Sequence, residues 1–459
     1  MVMGSLPEQV DLAVIGGGVG GYVAAIRAAQ LGLSVALVEK DKLGGHCLNY
    51  ACIPSKTLIH IADLFHEIRH AEKFGISVSG AALDPKKMLE WRMGVSKKLE
   101  NGVAFLCSSN QIDVFNGAAT FLDSGRLQTT RGVTLEFKHA LIATGSEPAV
   151  VKGFEFGGNV IDYKQALMLD YIPKSMVVIG AGYVAVEIGT LYAKLGSKVT
   201  VLARSDVLSH FDKDAVALVK ARMAELGVTV ITGVTPASRT QTSITLSDGR
   251  TMDADVIVVA VGLVPYTDGL ELHNTKVEMD EKGFIKVDRQ MRTTDQKILA
   301  VGDVVGEPML AHKAMRQGVI AAEVAAGQNS AYENRIVPAV IFSDPEIAIA
   351  GSIEPADGIS VTKFPLSALG RAVALDSRKG FVKMAYDQDK FVQGVEIVSP
   401  EANSMIAEAA LAIEMGATLE DIADTIHPHP TYSEAVQEAA EGALGRGIHF
   451  FYGKQPKQA

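Results

Sequence analysis

The chain has 459 residues, of which 48% are hydrophobic and 21% charged, and a formal net charge of −10 at neutral pH. Its length suggests about three domains, and its composition supplies large apolar cores and excludes a disordered chain. The acidic balance argues against nucleic acid or an anionic membrane surface as partner.

Residues 1–7 lack a basic segment and a cleavable apolar stretch, so no export signal is expected. Residues 10–15 form an apolar strand pattern that runs into Gly16-x-Gly18-x-x-Gly21, followed by a helix over 22–31, a strand over 35–38 and then Glu39. That order is the dinucleotide fingerprint. Gly16 permits the tight turn, Gly18 lets a pyrophosphate approach the backbone, Gly21 lets helix and strand pack closely, and Glu39 can bind ribose hydroxyls.

Cys47 and Cys52 stand five positions apart, just before a helical run over 53–65. On a regular helix residues so spaced lie roughly 8 to 9 Å apart, beyond the usual disulfide limit of about 7 Å, so a bond between them requires a loop or a distorted first turn. Zinc would call for a second pair, and two unrelated core thiols are the plain alternative. Pro54 suits a helix start, whose dipole favours a thiolate, and Lys56 shares a face with Cys52. Residues 61–106 read as mostly helical with Pro85 as punctuation, Cys107 as a buried structural thiol, and 114–142 as short strands and turns. With only three cysteines a reducing, cytoplasmic setting is expected.

A strand over 176–179 opens a second fingerprint, Gly180-x-Gly182-x-x-Ala185, in which alanine at the third place implies slightly looser helix packing. The next strand, over 198–202, ends at Ala203-Arg204 where NAD-selective sites carry an acid; Arg204 can pair a 2′-phosphate, so acceptance of NADP is expected beside NAD. The longest apolar run, 256–264, is far too short to cross a membrane, contains Gly262 and reads as a covered strand. From about Pro338 short strands (339–342, 391–398) give way to helices (403–415, 433–444), a third, α+β unit, before a polar tail, 453–459, expected to fray. In His427-Pro428-His429-Pro430-Thr431-Tyr432-Ser433-Glu434 the prolines hold His429 extended, and Glu434 can orient its ring for proton transfer. His427 fits a structural role equally well.

Gly44-Gly45-His46-Cys47-Leu48-Asn49-Tyr50-Ala51-Cys52-Ile53-Pro54-Ser55-Lys56 resembles the redox-disulfide signature of the pyridine nucleotide-disulfide oxidoreductases, with His46 and Ala51 where threonine and glycine are usual. The Ile-Pro-Ser-Lys ending and the first histidine of the C-terminal motif resemble the dihydrolipoamide dehydrogenases within that family. Ala143-Thr144-Gly145, and Thr293 followed by residues 298–303, are similar to its two flavin motifs, and residues 311–314 to its helix start beneath the flavin. Gly262-Leu263-Val264-Pro265-Tyr266-Thr267 departs from a segment in which the family often has arginine after the glycine and asparagine after the proline.

The resemblance implies two Rossmann-like domains, the second inserted in the first, and a C-terminal α+β dimerisation domain. Its divisions are residues 1–147 and 269–336 for FAD, 148–268 for NAD(P), and 337–459 for the interface. It implies Cys47 as interchange thiol, Cys52 as flavin-side thiol, Lys56 paired with Glu187 near the flavin, and Asp303, His312, Thr144 and Gly145 at FAD. His429 with Glu434 becomes the base, supplied by the partner subunit of a homodimer. The reaction implied is oxidation of dihydrolipoamide, free or carried on a lipoyl acyltransferase, with reduction of NAD(P). An NADPH-dependent reductase of a small disulfide and a non-catalytic docking flavoprotein are the alternatives, and neither metal, membrane nor nucleic acid is called for.

Overall fold

The computed structural model describes residues 8–452, so the 453–459 tail and residues 1–7 lie outside the described residues. The chain divides into two compact units. The first holds residues up to Lys174 with Ser238–Ser243 and Asp253–Glu333; the second holds Ser175–Ala237, Ile244–Met252 and the described residues from Asn334 onward.

In the first unit β1 (Glu8–Ile15) leads through the fingerprint turn into α1 (Val19–Gln30) and β2 (Val35–Glu39). The cysteine segment follows as α2 (Gly45–Asn49) and α3 (Cys52–Arg69), then α4 (Pro85–Ser109) and strands β3 (Asp113–Asn116), β4 (Ala119–Asp123), β5 (Arg126–Thr129), β6 (Thr134–Ile142) and β7 (Ser146–Pro148). The sheet runs β3-β2-β1-β6-β5-β4, with Ile298–Ala300 added beside β6. Its centre is parallel. Strands buried on both faces must be apolar throughout, which is why β2 reads Val-Ala-Leu-Val before its acid.

One face is covered by α1, α4 and the helix Ala311–Ala325, whose side chains join Leu12, Val14, Leu37 and Leu141 in one core. The two helices α1 and Ala311–Ala325 approach at glycines: a Cβ on Gly318 would stand 2.4 Å from the Gly20 carbonyl oxygen. Asp84 caps α4 by accepting from the Lys86 and Lys87 amides. The apolar run 256–264 does not stay one strand. Val256–Val259 is a buried strand, Gly262 turns at φ +133°, and Leu263–Pro265 pairs antiparallel with β7.

The second unit contains the other fingerprint on a parallel sheet of Ser175–Ile179, Lys198–Ala203 and Thr229–Thr232, with the helix Tyr183–Leu195 after the first strand. It also contains a five-stranded antiparallel sheet ordered Ala339–Ile341, Glu346–Gly351, Val392–Ser399, Phe381–Tyr386 and Ser360–Pro365. The helices Ala402–Met415 and Glu434–Ala443 contribute Met405, Ile406, Ala409, Val436 and Ala439 to its core. Among the described residues no helix is long and apolar enough to cross a membrane.

Candidate active site

The fingerprint glycines do what their positions require. Gly16 has φ +101°, and a Cβ there would meet the Ala143 carbonyl oxygen at 2.4 Å. A Cβ on Gly21 would fall 1.8 Å from the Gly16 carbonyl oxygen. In the second copy Ala185 is fully buried, so its methyl group is accommodated where the first copy admits only glycine.

Helix α1 begins at Gly18 with no side-chain cap and no acid in its first turn, and the helix Tyr183–Leu195 begins the same way at Gly182. Each therefore directs first-turn amides without intrahelical acceptors, and the positive end of a helix dipole, outward, the arrangement an anionic pyrophosphate fits. Glu39 already accepts from the Gly17 amide at 2.6 Å and the Asp41 amide at 2.7 Å, bracing the turn it serves. Burial, above all, raises its pKa. A carboxylate has about four acceptor positions, so capacity for ribose hydroxyls is left.

The cysteine segment is distorted as its spacing demands. Gly44 and Gly45 are left-handed, Cys47 sits inside the five-residue α2, the chain breaks at Tyr50 and Ala51, and Cys52 is the first residue of the 18-residue α3. Helix α3 thus starts two residues before Pro54, whose missing N–H falls among the first-turn amides that lack helical partners. No disulfide joins the pair. The Cys47 thiol is pushed up, first by its hydrogen bond with Cys52 and then by burial, while Lys56 pulls the other way. The two thiols are thus hydrogen-bonded to each other, with Cys52 at the positive end of α3. His46 is driven down to about 4, by burial first and then by Lys164 and Lys40, so it is neutral at pH 7. Cys107 is fully buried in the core beneath α1, the structural thiol its apolar setting suggested.

Asn49 Nδ2 donates to the Leu43 and Gly45 carbonyls at 3.0 and 3.1 Å, and Arg92 of α4 donates from Nη2 to the Asn49 carbonyl at 2.6 Å. Sequence reasoning missed both. The signal for Arg92 was present: it occupies the buried stripe Met88, Arg92, Ser96, Val103, Cys107, where helical spacing calls for an apolar side chain.

Thr144 donates from Oγ1 to the Tyr266 carbonyl at 2.6 Å, and Gly145 has φ +74°. Asp303 lies on the short Gly302–Val305 turn; burial raises its pKa, and Ser146 Oγ donates to its carboxylate at 2.6 Å. His312 is on the first turn of Ala311–Ala325, which starts at Leu310 without a side-chain cap. Lys313 beside it is buried, with Nζ on the Gly306 carbonyl at 2.5 Å, a contact the sequence did not disclose. Open helix starts, a glycine-lined turn and a buried carboxylate along the first unit together fit FAD.

In the second unit Glu187 is buried, and its Oε1 accepts from the Phe342 amide at 3.1 Å, so it is no surface charge. Ala203 is buried at its strand's end, and Arg204 after it is exposed. His429 bonds through Nδ1 to Glu434 Oε1 at 2.8 Å, and Glu434 Oε2 accepts from the Thr431 amide at 2.8 Å. The His429 side chain is 76% exposed, leaving Nε2 open to a reactant. His427 is different. Its Nδ1 meets the Thr425 carbonyl at 2.9 Å and its Nε2 meets Glu408 at 2.7 Å, and Glu408 raises its pKa. No group of His, Cys, Asp and Glu suited to a metal occurs among the described residues.

Known proteins with this chain's features agree with one another. The family model of the pyridine nucleotide-disulphide oxidoreductases matches residues 10–318, and that of the family's dimerisation domain matches 337–440. A dihydrolipoyl dehydrogenase 2 of Haloarcula marismortui is 44% identical, covering 98% of this chain and 100% of its own. A dihydrolipoyl dehydrogenase of Geobacillus stearothermophilus is also 44% identical, over 98% of this chain and 99% of its own. Among solved structures, LpdA from Mycobacterium tuberculosis superposes with a TM-score of 0.88 at 29% identity, covering 95% of this chain and 99% of its own. With both family models in sequence order along it, the chain belongs to the pyridine nucleotide-disulphide oxidoreductases.

Proposed function

We propose that the chain is an FAD-dependent dihydrolipoamide dehydrogenase, acting as a homodimer in a reducing, cytoplasmic setting. The observation that carries this reading is the broken helix that brings Cys47 and Cys52 within hydrogen-bonding reach. In the oxidised enzyme the two form a disulfide. One sulfur of dihydrolipoamide attacks Cys47, breaking the Cys47–Cys52 bond and forming a mixed disulfide; the second sulfur then displaces Cys47 and closes the disulfide of lipoamide. Two electrons and two protons leave the substrate, the electrons to the cysteine pair and one of the protons to Cys47 as it is displaced. The partner subunit's His429 takes a proton through Nε2 while Glu434 fixes its ring, and Cys52 at the start of α3 carries the thiolate. FAD, when bound, supplies the two-electron link between this pair and the nicotinamide. Gly16, Gly18, Gly21 and Glu39 would hold its adenosine and pyrophosphate, Asp303 its ribityl chain, and Thr144, Gly145 and His312 its ring, with Lys56 and Glu187 near the reacting end. Gly180, Gly182 and Ala185 would hold the nicotinamide coenzyme, and Gly262 the turn between the nucleotide sites. The substrate is free dihydrolipoamide or the same group on an acyltransferase.

Exposed Arg204 after buried Ala203 favours a second reading, an NADPH-dependent reductase of a small disulfide. One assay separates the two: dihydrolipoamide oxidation against glutathione disulfide reduction, each with NAD and NADP coenzymes. The first reading expects lipoamide turnover to dominate with either coenzyme. Cys47→Ser should abolish that turnover and still bind FAD, and full activity in this variant would remove Cys47 from the mechanism.

A further inference from the structure

We propose that Lys40 and Tyr266 form a strut across the rim of the FAD groove that slows the loss of bound FAD, a proposal that rests on the FAD reading above. Lys40 directly follows Glu39, at the mouth of the fingerprint turn. Its ammonium lies 3.4 Å from the centroid of the Tyr266 ring, within cation–π range.

Tyr266 is anchored by its backbone to the second flavin-motif segment: its amide donates to the Gly145 carbonyl at 3.0 Å, and its carbonyl accepts from Thr144 Oγ1 at 2.6 Å. The strand before it, Leu263–Pro265, pairs with Ser146–Pro148, which brings Ser146, the hydroxyl on Asp303, into the same framework. One side-chain contact therefore ties the segment after the ribose acid to the segment that carries Thr144, Gly145 and Ser146. Both segments adjoin residues assigned above to FAD, Glu39 on one side and Thr144, Gly145 and Asp303 on the other. Because the ring's backbone is already fixed by two hydrogen bonds and a strand pair, closing the contact orders little besides the lysine side chain.

Asparagine, the usual residue of the family segment at this position, has no π face. The strut is thus a consequence of the departure at Tyr266.

The test uses the purified holoenzyme and follows flavin passing an ultrafiltration membrane with time. Tyr266→Leu and Lys40→Met should each speed FAD release about two- to fivefold, the range of an exposed cation–π contact. Tyr266→Phe, which keeps a π face, should release FAD like the wild type, and the double variant should be no faster than either single one. Wild-type release in Tyr266→Leu, or additive effects in the double variant, would overturn the strut. A wild-type protein that binds no flavin would instead overturn the FAD reading.

Discussion

Two histidines two positions apart meet opposite fates, and hydrogen-bond inventory decides which. Both ring nitrogens of His427 face acceptors, a carbonyl and a carboxylate, which favours the protonated ring and leaves neither nitrogen for a reactant. His429 faces one acceptor, Glu434, and keeps its other nitrogen for a reactant. Loss of a general base costs about 10²- to 10⁴-fold in rate, so His429→Gln should fall by that much in kcat, and Glu434→Gln by less. Wild-type turnover in either variant would remove that residue from the mechanism. Arg204 belongs to the same scale. A charge reversal beside a 2′-phosphate should weaken NADP use, so Arg204→Glu is expected to lower kcat/KM for the NADP coenzyme well below that for NAD, and an unchanged ratio would place Arg204 outside the coenzyme site. The pairing of His429 with Glu434 was legible because the prolines and Glu434 lie within five residues of the histidine. The sequence left His427 undecided because Glu408, the group that settles it, is 19 positions away.

At the scale of elements, the cysteine pair is defined by where helices stop. Five-residue spacing forbids a disulfide on a continuous helix, and the chain meets that constraint with left-handed Gly44 and Gly45, a short helix for Cys47 and a fresh start at Cys52. A break was legible from spacing alone; what fixes it was not, because Arg92 comes from a helix about forty residues on. The carbonyl of Asn49 is one of the orphan acceptors at the end of α2, and a guanidinium there satisfies it and complements the helix dipole. Arg92 Nε has no partner among the described residues, so burying the group also carries a cost. Arg92→Met keeps the volume and removes both the bond and the orphan donor. We expect a net loss of about 1 kcal/mol, read as a lower urea midpoint with an unchanged slope. A stability equal to wild type would mean the two contributions cancel and that α2 holds its place without Arg92. The first fingerprint helix was legible to within a few residues, since glycine pattern, strand and acid are all local; it begins three residues before the apolar pattern, at Val19 instead of Tyr22.

The stability of the whole molecule carries a pH dependence that no motif announces. Glu396 is fully buried on the strand Val392–Ser399, directly across from Lys383, and among the described residues its carboxylate has no side-chain hydrogen-bond partner, the Asp212 backbone giving it weak support. Lys383 is already committed to Asp212 at 2.6 Å and Asp214 at 2.8 Å, and Lys363 binds Asp214 at 2.9 Å. Burial first, and then repulsion from Asp212, push Glu396 up to about 8, against the pull of Lys383. An acid raised in the folded state binds its proton more tightly there than when unfolded. Its contribution is therefore fully favourable below the unfolded value of 4.5 and is lost as pH rises towards about 8, a change on the order of 4 kcal/mol. His427 acts in the same direction, since its raised pKa gives stability that is present below 6.5 and lost as pH rises through its folded value. The two are separable by substitution. Glu396→Gln, neutral at every pH, should match the wild type near pH 4 and exceed it by a margin that grows up to about pH 8, while the decline due to His427 remains in both proteins. Thermal midpoints measured across that range would show the difference directly. Parallel curves for the two proteins would mean that Glu396 ionises in the fold as freely as in the unfolded chain, and that its buried position is relieved by a partner such as an ordered water.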